Sequence, residues 1–187
     1  MLATDNQVIS LEDFLDLPEV KPAREYIDGK IIRKPMPKGK HSRLQLKLCN
    51  SINEVAESSK IAYAFRGLSC SFGTRSIVPD VSVFTWSKIP FDRDGEPIHD
   101  FLLCPDWVIE ILSPQQSSNR VTGNILYCLE NGCKLGWLID PDDRSILMFF
   151  ADQSPKLLQG DESLLTLAEI PLNLTINQVF SWLKMQA

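Results

Sequence analysis

A single α/β domain is the fold class the sequence predicts, and three observations predict it. An almost unbroken apolar run, DWVIEIL at residues 106–112, leads through a helical-period stretch into a second apolar run, LGWLI at residues 135–139. Parallel strands cannot be joined by a tight turn, so strand, helix, strand in this order points to a parallel pair with a helical crossover. Around that unit lie shorter β-branched and aromatic segments bounded by turns, which suit antiparallel strands and make the sheet mixed. Finally, 187 residues with 44% hydrophobic and 23% charged side chains fit one core, here residues 1–187, flanked by helices.

In chain order, residues 10–18 (SLEDFLDLP) open with a Ser cap, carry Glu12 and Asp13 in the first turn, and space Leu11, Phe14 and Leu15 helically, which predicts a short entry helix. Residues 25–32 surround Asp28-Gly29, a pair that tolerates the left-handed backbone of a tight hairpin. After Pro35, Pro37 and Gly39, a helix over about residues 41–57 follows from the stripe Leu44, Leu48, Ile52 and Val55,. IAYAF, SCSFG and PDVSVFTW read as three adjacent antiparallel strands. Residues 87–100 read as an exposed polar loop, and DWVIEIL as a central strand buried on both faces. Val121, Ile125 and Leu129 mark a helix over residues 117–130 that Asn131-Gly132 closes,. LGWLI follows as a strand, residues 145–150 as its hairpin partner, and residues 175–185 (TINQVFSWLKM) as a capped terminal helix,.

Charge and composition narrow the function classes. No apolar run reaches the ~18–20 residues that span a bilayer, and the start is acidic where a secretion signal is basic, so the expected location is the cytoplasm, with no membrane partner. The five cysteines are odd in number and lack CxxC spacing, which predicts reduced core residues. A net charge of −5 argues against a general phosphate-neutralising surface. Residues 30–47 nevertheless hold Lys30, Arg33, Lys34, Lys38, Lys40, Arg43 and Lys47 without one Asp or Glu. That run is either a local basic face or a solvated surface. Neither GxSxG nor HExxH occurs, which removes the common small-molecule hydrolase classes.

The chemically informative residues are Asp80 and Glu110. An ionised carboxylate inside an apolar strand costs several kcal/mol to desolvate unless a cation or hydrogen bonds compensate. Asp80 follows Pro79 and enters VSVF, and Glu110 sits inside WVIEIL. Two such acids on neighbouring strands make an oxygen-lined site of the kind hard cations accept. Two bland readings stand beside it. Asp after Pro serves equally as a turn or cap residue, and a strand Glu can pair with an arginine, for which Arg66, Arg75 and Arg120 are candidates.

EYIDGK at residues 25–30, His41 at a helix start, PDVSV at 79–83, VIEILSP at 108–114 and GWLIDP at 136–141 together resemble a bacterial family of restriction-endonuclease-like proteins, long catalogued as a domain of unknown function, in the PD-(D/E)XK nuclease superfamily. The resemblance spans residues 11–180. It implies a restriction-endonuclease-like core, with Asp80 and Glu110 as Mg²⁺ ligands, Glu25 as a further acidic ligand and the carbonyl of Ile111 completing the set. Mn²⁺ is the expected substitute metal. The implied reaction is hydrolysis of DNA phosphodiester bonds. The superfamily lysine would stand two residues beyond Glu110, or in this family on the following helix, and those positions hold Leu112 and Asn124. Arg120, one turn before Asn124, would then act as a charge clamp, although guanidinium cannot serve as a base. A slow endonuclease and a non-catalytic module that binds nucleic acid or a protein are the two functions this leaves. Superfamily members often pair, so a homodimer through Phe180 and Trp182 stands beside plain core packing of those residues.

Overall fold

The computed structural model describes residues 9–114 and 116–186. Residues 1–8, whose acidic character bears on the secretion-signal reading, lie outside the described residues. A six-stranded sheet forms the centre, in the order β10 (Lys156–Gln159), β9 (Ser145–Phe150), β8 (Leu135–Asp140), β7 (Trp107–Ile111), β6 (Val81–Thr85), β3 (Ala62–Arg66). Only β7 and β8 run parallel, joined through α3 (Ser118–Glu130); every other neighbouring pair is antiparallel. The mixed sheet and the helical crossover are those predicted.

Alternation along β7 sorts its side chains into two layers. After a short entry helix, α1 (Leu11–Leu15), comes α2 (Gly39–Ala56), whose Leu44, Leu48 and Ile52 pack with Trp107, Ile109 and Ile111 and with Val179 and Phe180 of α4 (Ile176–Ser181). Val108 packs on the other face with Val121, Ile125 and Cys128 of α3. Gly136 makes the second layer tight, because a Cβ there would collide with the Ile125 methyl. Period two therefore points Glu110, like Val108, toward the α3 layer.

A second, four-stranded sheet has the order β2 (Lys30–Arg33), β1 (Arg24–Ile27), β5 (Arg75–Ile77), β4 (Cys70–Phe72). The β1–β2 turn places both Asp28 (φ 51°) and Gly29 (φ 79°) in the left-handed region, the geometry that matches strand twist in a two-residue hairpin. Here the expectation of three adjacent strands fails. IAYAF and VSVFT pair as β3 and β6, but SCSFG leaves them: it turns at Gly73 (φ 57°) and pairs with β5, which in turn pairs with the hairpin. Alternation identifies a strand; it carries no information about which edge receives it.

The terminal helix is shorter than expected, ending at Ser181. Phe180 is fully enclosed and Trp182, half-buried, packs against the main core cluster. β10 also escaped the sequence reading, being short and at the sheet edge. All five cysteines are free and buried. Among the described residues no helix is long and apolar enough to cross a membrane.

Candidate active site

Asp80 lies just before β6, where the ladder to β7 begins, and four elements converge on it. Its Oδ2 accepts the Ile111 backbone N–H at 2.8 Å and faces His41 Nε2 at 2.9 Å. Gln45, one helical turn beyond His41, donates to the Asp80 carbonyl at 2.7 Å. The i, i+4 spacing thus lets one face of α2 grip both the side chain and the backbone of Asp80. An ionised carboxylate only accepts, so Nε2 carries the hydrogen, and Nδ1 is left buried without a partner,.

Glu110 is 2% exposed. Its Oε2 meets Lys34 Nζ at 3.1 Å, while Oε1 is buried with no partner. The same Lys34 Nζ lies 2.9 Å from Asp80 Oδ1 and donates to the Val78 carbonyl. One ammonium therefore spends its three hydrogens on two carboxylates and a backbone carbonyl.

Electrostatics separates the two acids. Burial would raise the Asp80 carboxyl, but Lys34 and His41 hold it well below the usual carboxylate range. Burial pushes the Glu110 carboxyl well above that range; Lys34 opposes the rise, and the negative fields of Asp80 and Glu25 add to it. Burial would strip Lys34 of its proton, yet Glu110, Asp80 and Glu25 together raise its ammonium above the ordinary lysine range.

Although Leu112 and Asn124 supply no lysine, one stands beside both acids in space: Lys34, carried by the hairpin. Lys34 follows β2 directly, and its N–H donates to the Ala23 carbonyl. Because Glu25 pairs with Ile32, period two puts Glu25, Ile32 and Lys34 on one face of the hairpin. That was the available signal: the Asp28-Gly29 turn fixes the register and hence the face. By charge alone Lys34 is indistinguishable from the rest of the basic run over residues 30–47. Its neighbours Lys30, Arg33 and Lys38 are exposed, and Lys40 pairs at the surface with Asp142 at 2.8 Å.

The other expected residues gather around the same cleft. Its hairpin side is lined by Glu25, Ile32, Arg33, Lys34 and Pro35, its helix side by Gln116, Arg120, Val121 and Asn124, with Glu110 between them. Arg120 is exposed on the first turn of α3 and Asn124 is buried one turn later. Glu25 accepts the Val78 N–H at 3.0 Å, so its carboxylate is tied to the chain that carries Asp80. Among the described residues no three His, Cys, Asp or Glu side chains converge as a ready-made metal cage. The Ile111 carbonyl shares a strand edge with the Ile111 N–H that Asp80 accepts, beyond Ile109, where pairing with β6 ends,. Arg75, one of the arginines considered as partner for a strand acid, instead forks onto Asp28 at 3.0 and 2.8 Å.

The atoms that accept from Lys34 Nζ are all oxygens, two of them on carboxylates, and Glu110 retains an unpartnered buried oxygen. That chemistry fits a hard divalent cation.

The family described as Uma2, "Putative restriction endonuclease", matches residues 11–178. A crystal structure from Anabaena variabilis, described as a putative nuclease belonging to DUF820, is 48% identical with a TM-score of 0.92, covering 94% of this chain and 99% of that one. No curated protein matches. The family match and the solved structure bear out the resemblance read from the sequence and the α/β, nuclease-like fold.

Proposed function

This chain belongs to the Uma2 family, and from that premise we propose that it is a Mg²⁺-dependent endonuclease that hydrolyses the phosphodiester bonds of DNA. The observation that carries the reading is the convergence of two buried carboxylates, Asp80 and Glu110, on a single cation position. A fold stabilised only by packing gains nothing from two acids desolvated side by side, since replacing such a cluster with apolar groups is often neutral or stabilising.

Asp80 and Glu110 would hold Mg²⁺ or Mn²⁺, with the Ile111 carbonyl as a further oxygen. When bound, the ion supplies Lewis acidity toward the phosphodiester and lowers the pKa of an attacking water. The protein's own residues do the rest. His41 and Gln45 fix Asp80, the Glu25–Val78 bond fixes the chain entering β6, and Arg33 and Arg120 flank the cleft where a phosphate would lie. Arginine suits that task because its fork matches phosphate oxygens and stays charged. The reduced, buried cysteines suit a cytoplasmic setting for this activity.

One observation favours a second reading, a non-catalytic module that binds nucleic acid or a protein: Lys34 already occupies the position between the two acids. Plasmid nicking decides between them. Nicking that requires Mg²⁺ and disappears in Asp80→Ala and Glu110→Ala, both still folded, supports the nuclease. Unchanged nicking in either purified variant counts decisively against these acids as the site, and no nicking by the parent with Mg²⁺ bound gives the binding module its place.

A further inference from the structure

We propose that Lys34 is a displaceable resident cation: its ammonium holds the Asp80–Glu110 pair together when no divalent ion is bound, gives the position up to the ion, and swings into the cleft beside Asn124. The inference rests on the metal-dependent reading above and adds the device by which the chain keeps such a site assembled.

The coordination of Nζ carries the argument. Its partners are Asp80 Oδ1 at 2.9 Å, Glu110 Oε2 at 3.1 Å and the Val78 carbonyl, an oxygen set that would equally suit a divalent ion. Two cations cannot share it, because at that separation their repulsion in a poorly solvated site is large. The two kinds of ligand also differ in how they are held. Asp80 is clamped by His41, Gln45 and the Ile111 N–H, and Glu110 lies in the middle of the sheet on β7. Lys34 reaches in from beyond the end of β2 on a flexible four-carbon stem, its side chain 13% exposed against 4% and 2% for the acids. The ammonium is therefore the mobile member. The space it would move into is the adjoining cleft, which Lys34 lines together with Gln116, Arg120 and Asn124. There it would face the phosphate side of the site, taking the station of the lysine that Leu112 and Asn124 do not provide, where a positive charge offsets charge developing in the transition state.

Exchange has consequences that a fixed ion pair lacks. Apparent metal affinity is lowered by the fraction of molecules in which the ammonium occupies the site. Lys34→Met should therefore bind Mn²⁺ more tightly by about tenfold or more in calorimetry, and should lose more melting temperature in metal-free buffer than in saturating Mn²⁺. Lys34→Gln, which keeps a donor for the Val78 carbonyl, serves if the Met variant does not fold. The parent gives an independent readout: an amine-reactive label, located by peptide mass spectrometry, should modify Lys34 slowly in chelator and several-fold faster with Mg²⁺. Equal Mn²⁺ affinity in parent and variant, or labelling of Lys34 unchanged by Mg²⁺, overturns the exchange while leaving the nuclease reading intact. Failure of parent and variant alike to bind Mn²⁺ overturns both. Cleavage adds a last arm: Lys34→Met should be slower by about a hundredfold, a typical cost of losing one transition-state donor, and Asn124→Lys in that background should restore much of it. No recovery would show that the cleft beside Asn124 is not where the ammonium acts.

Discussion

Two buried carboxylates mark the two ends of β7, and the chain treats them in opposite ways. Asp106, immediately before the strand, is fully buried, yet its Oδ2 accepts from the Thr85 N–H at 2.9 Å and the Thr85 hydroxyl at 2.8 Å. Its Oδ1 lacks a well-aligned hydrogen bond but faces the Lys88 ammonium at 3.0 Å and Lys134 at 3.7 Å. Burial raises that carboxyl, and the Thr85 and Lys88 contacts outweigh it, so the group is held below its usual range. Glu110 has one shared lysine, an orphaned oxygen and a carboxyl pushed upward. The difference separates an acid whose charge has local partners from one left short of them beside a cleft, and the second pattern is the one that marks a functional-site candidate.

The comparison breaks or holds first on activity, where the expected effect is largest. Glu110→Gln should remove Mg²⁺-dependent plasmid cleavage by about a thousandfold or more with the fold intact, as loss of a charge that acts in the transition state does, whereas Asp106→Asn should retain it once folded. Comparable losses in both would erase the distinction.

Stability should show the reverse. Removing Asp106 with Ala strips charge-assisted hydrogen bonds worth about 1.5–3 kcal/mol each before compensation, so chemical denaturation should report a loss of roughly 2–3 kcal/mol. Glu110→Gln in metal-free buffer should be neutral or stabilising by up to about 1 kcal/mol, because it removes an under-compensated buried charge.

Acid titration sharpens the contrast through its sign. Asp106 is depressed in the folded state, so its contribution is present above the unfolded value of about 3.9 and is lost as pH falls through the lower folded value. Glu110 is raised, so the unfolded chain ionises first, and folding loses stability as pH climbs above about 4.3 toward the folded value. Relative to the parent, Asp106→Asn should lose most of its deficit in acid, and Glu110→Gln should gain stability as pH rises through that window. Parallel pH curves for parent and Glu110→Gln would show Glu110 to be as well compensated as Asp106.

The smallest effect concerns Lys134, whose side chain is 63% exposed. Lys134→Met should change stability by no more than about 0.5 kcal/mol, as expected of a long, solvated ion pair. A larger loss would place the compensation of Asp106 on Lys134 rather than on Thr85 and Lys88.

Local pattern determined much of this molecule. The apolar runs around Val108 and Trp137, the stripe through Leu44, Leu48 and Ile52, and the Asp28-Gly29 turn each specify their element through short-range sterics and burial. They were legible because the cause lies within a few residues of the effect. Asp80 and Glu110 were legible as anomalies for the same reason, since a carboxylate among β-branched neighbours declares its own desolvation cost. Tertiary structure alone decided which sheet edge received SCSFG, because a strand's alternation fixes its faces and not its neighbours. It also enclosed Phe180 in the core and set Trp182 against it. Above all it decided the fate of Lys34, which is 46 residues from Asp80 and 76 from Glu110 in sequence. The charge of a lysine is visible in the chain, but the hollow that draws it inward exists only once the hairpin, α2 and β7 have met, and burial next to two acids turns one member of a basic run into the partner of both.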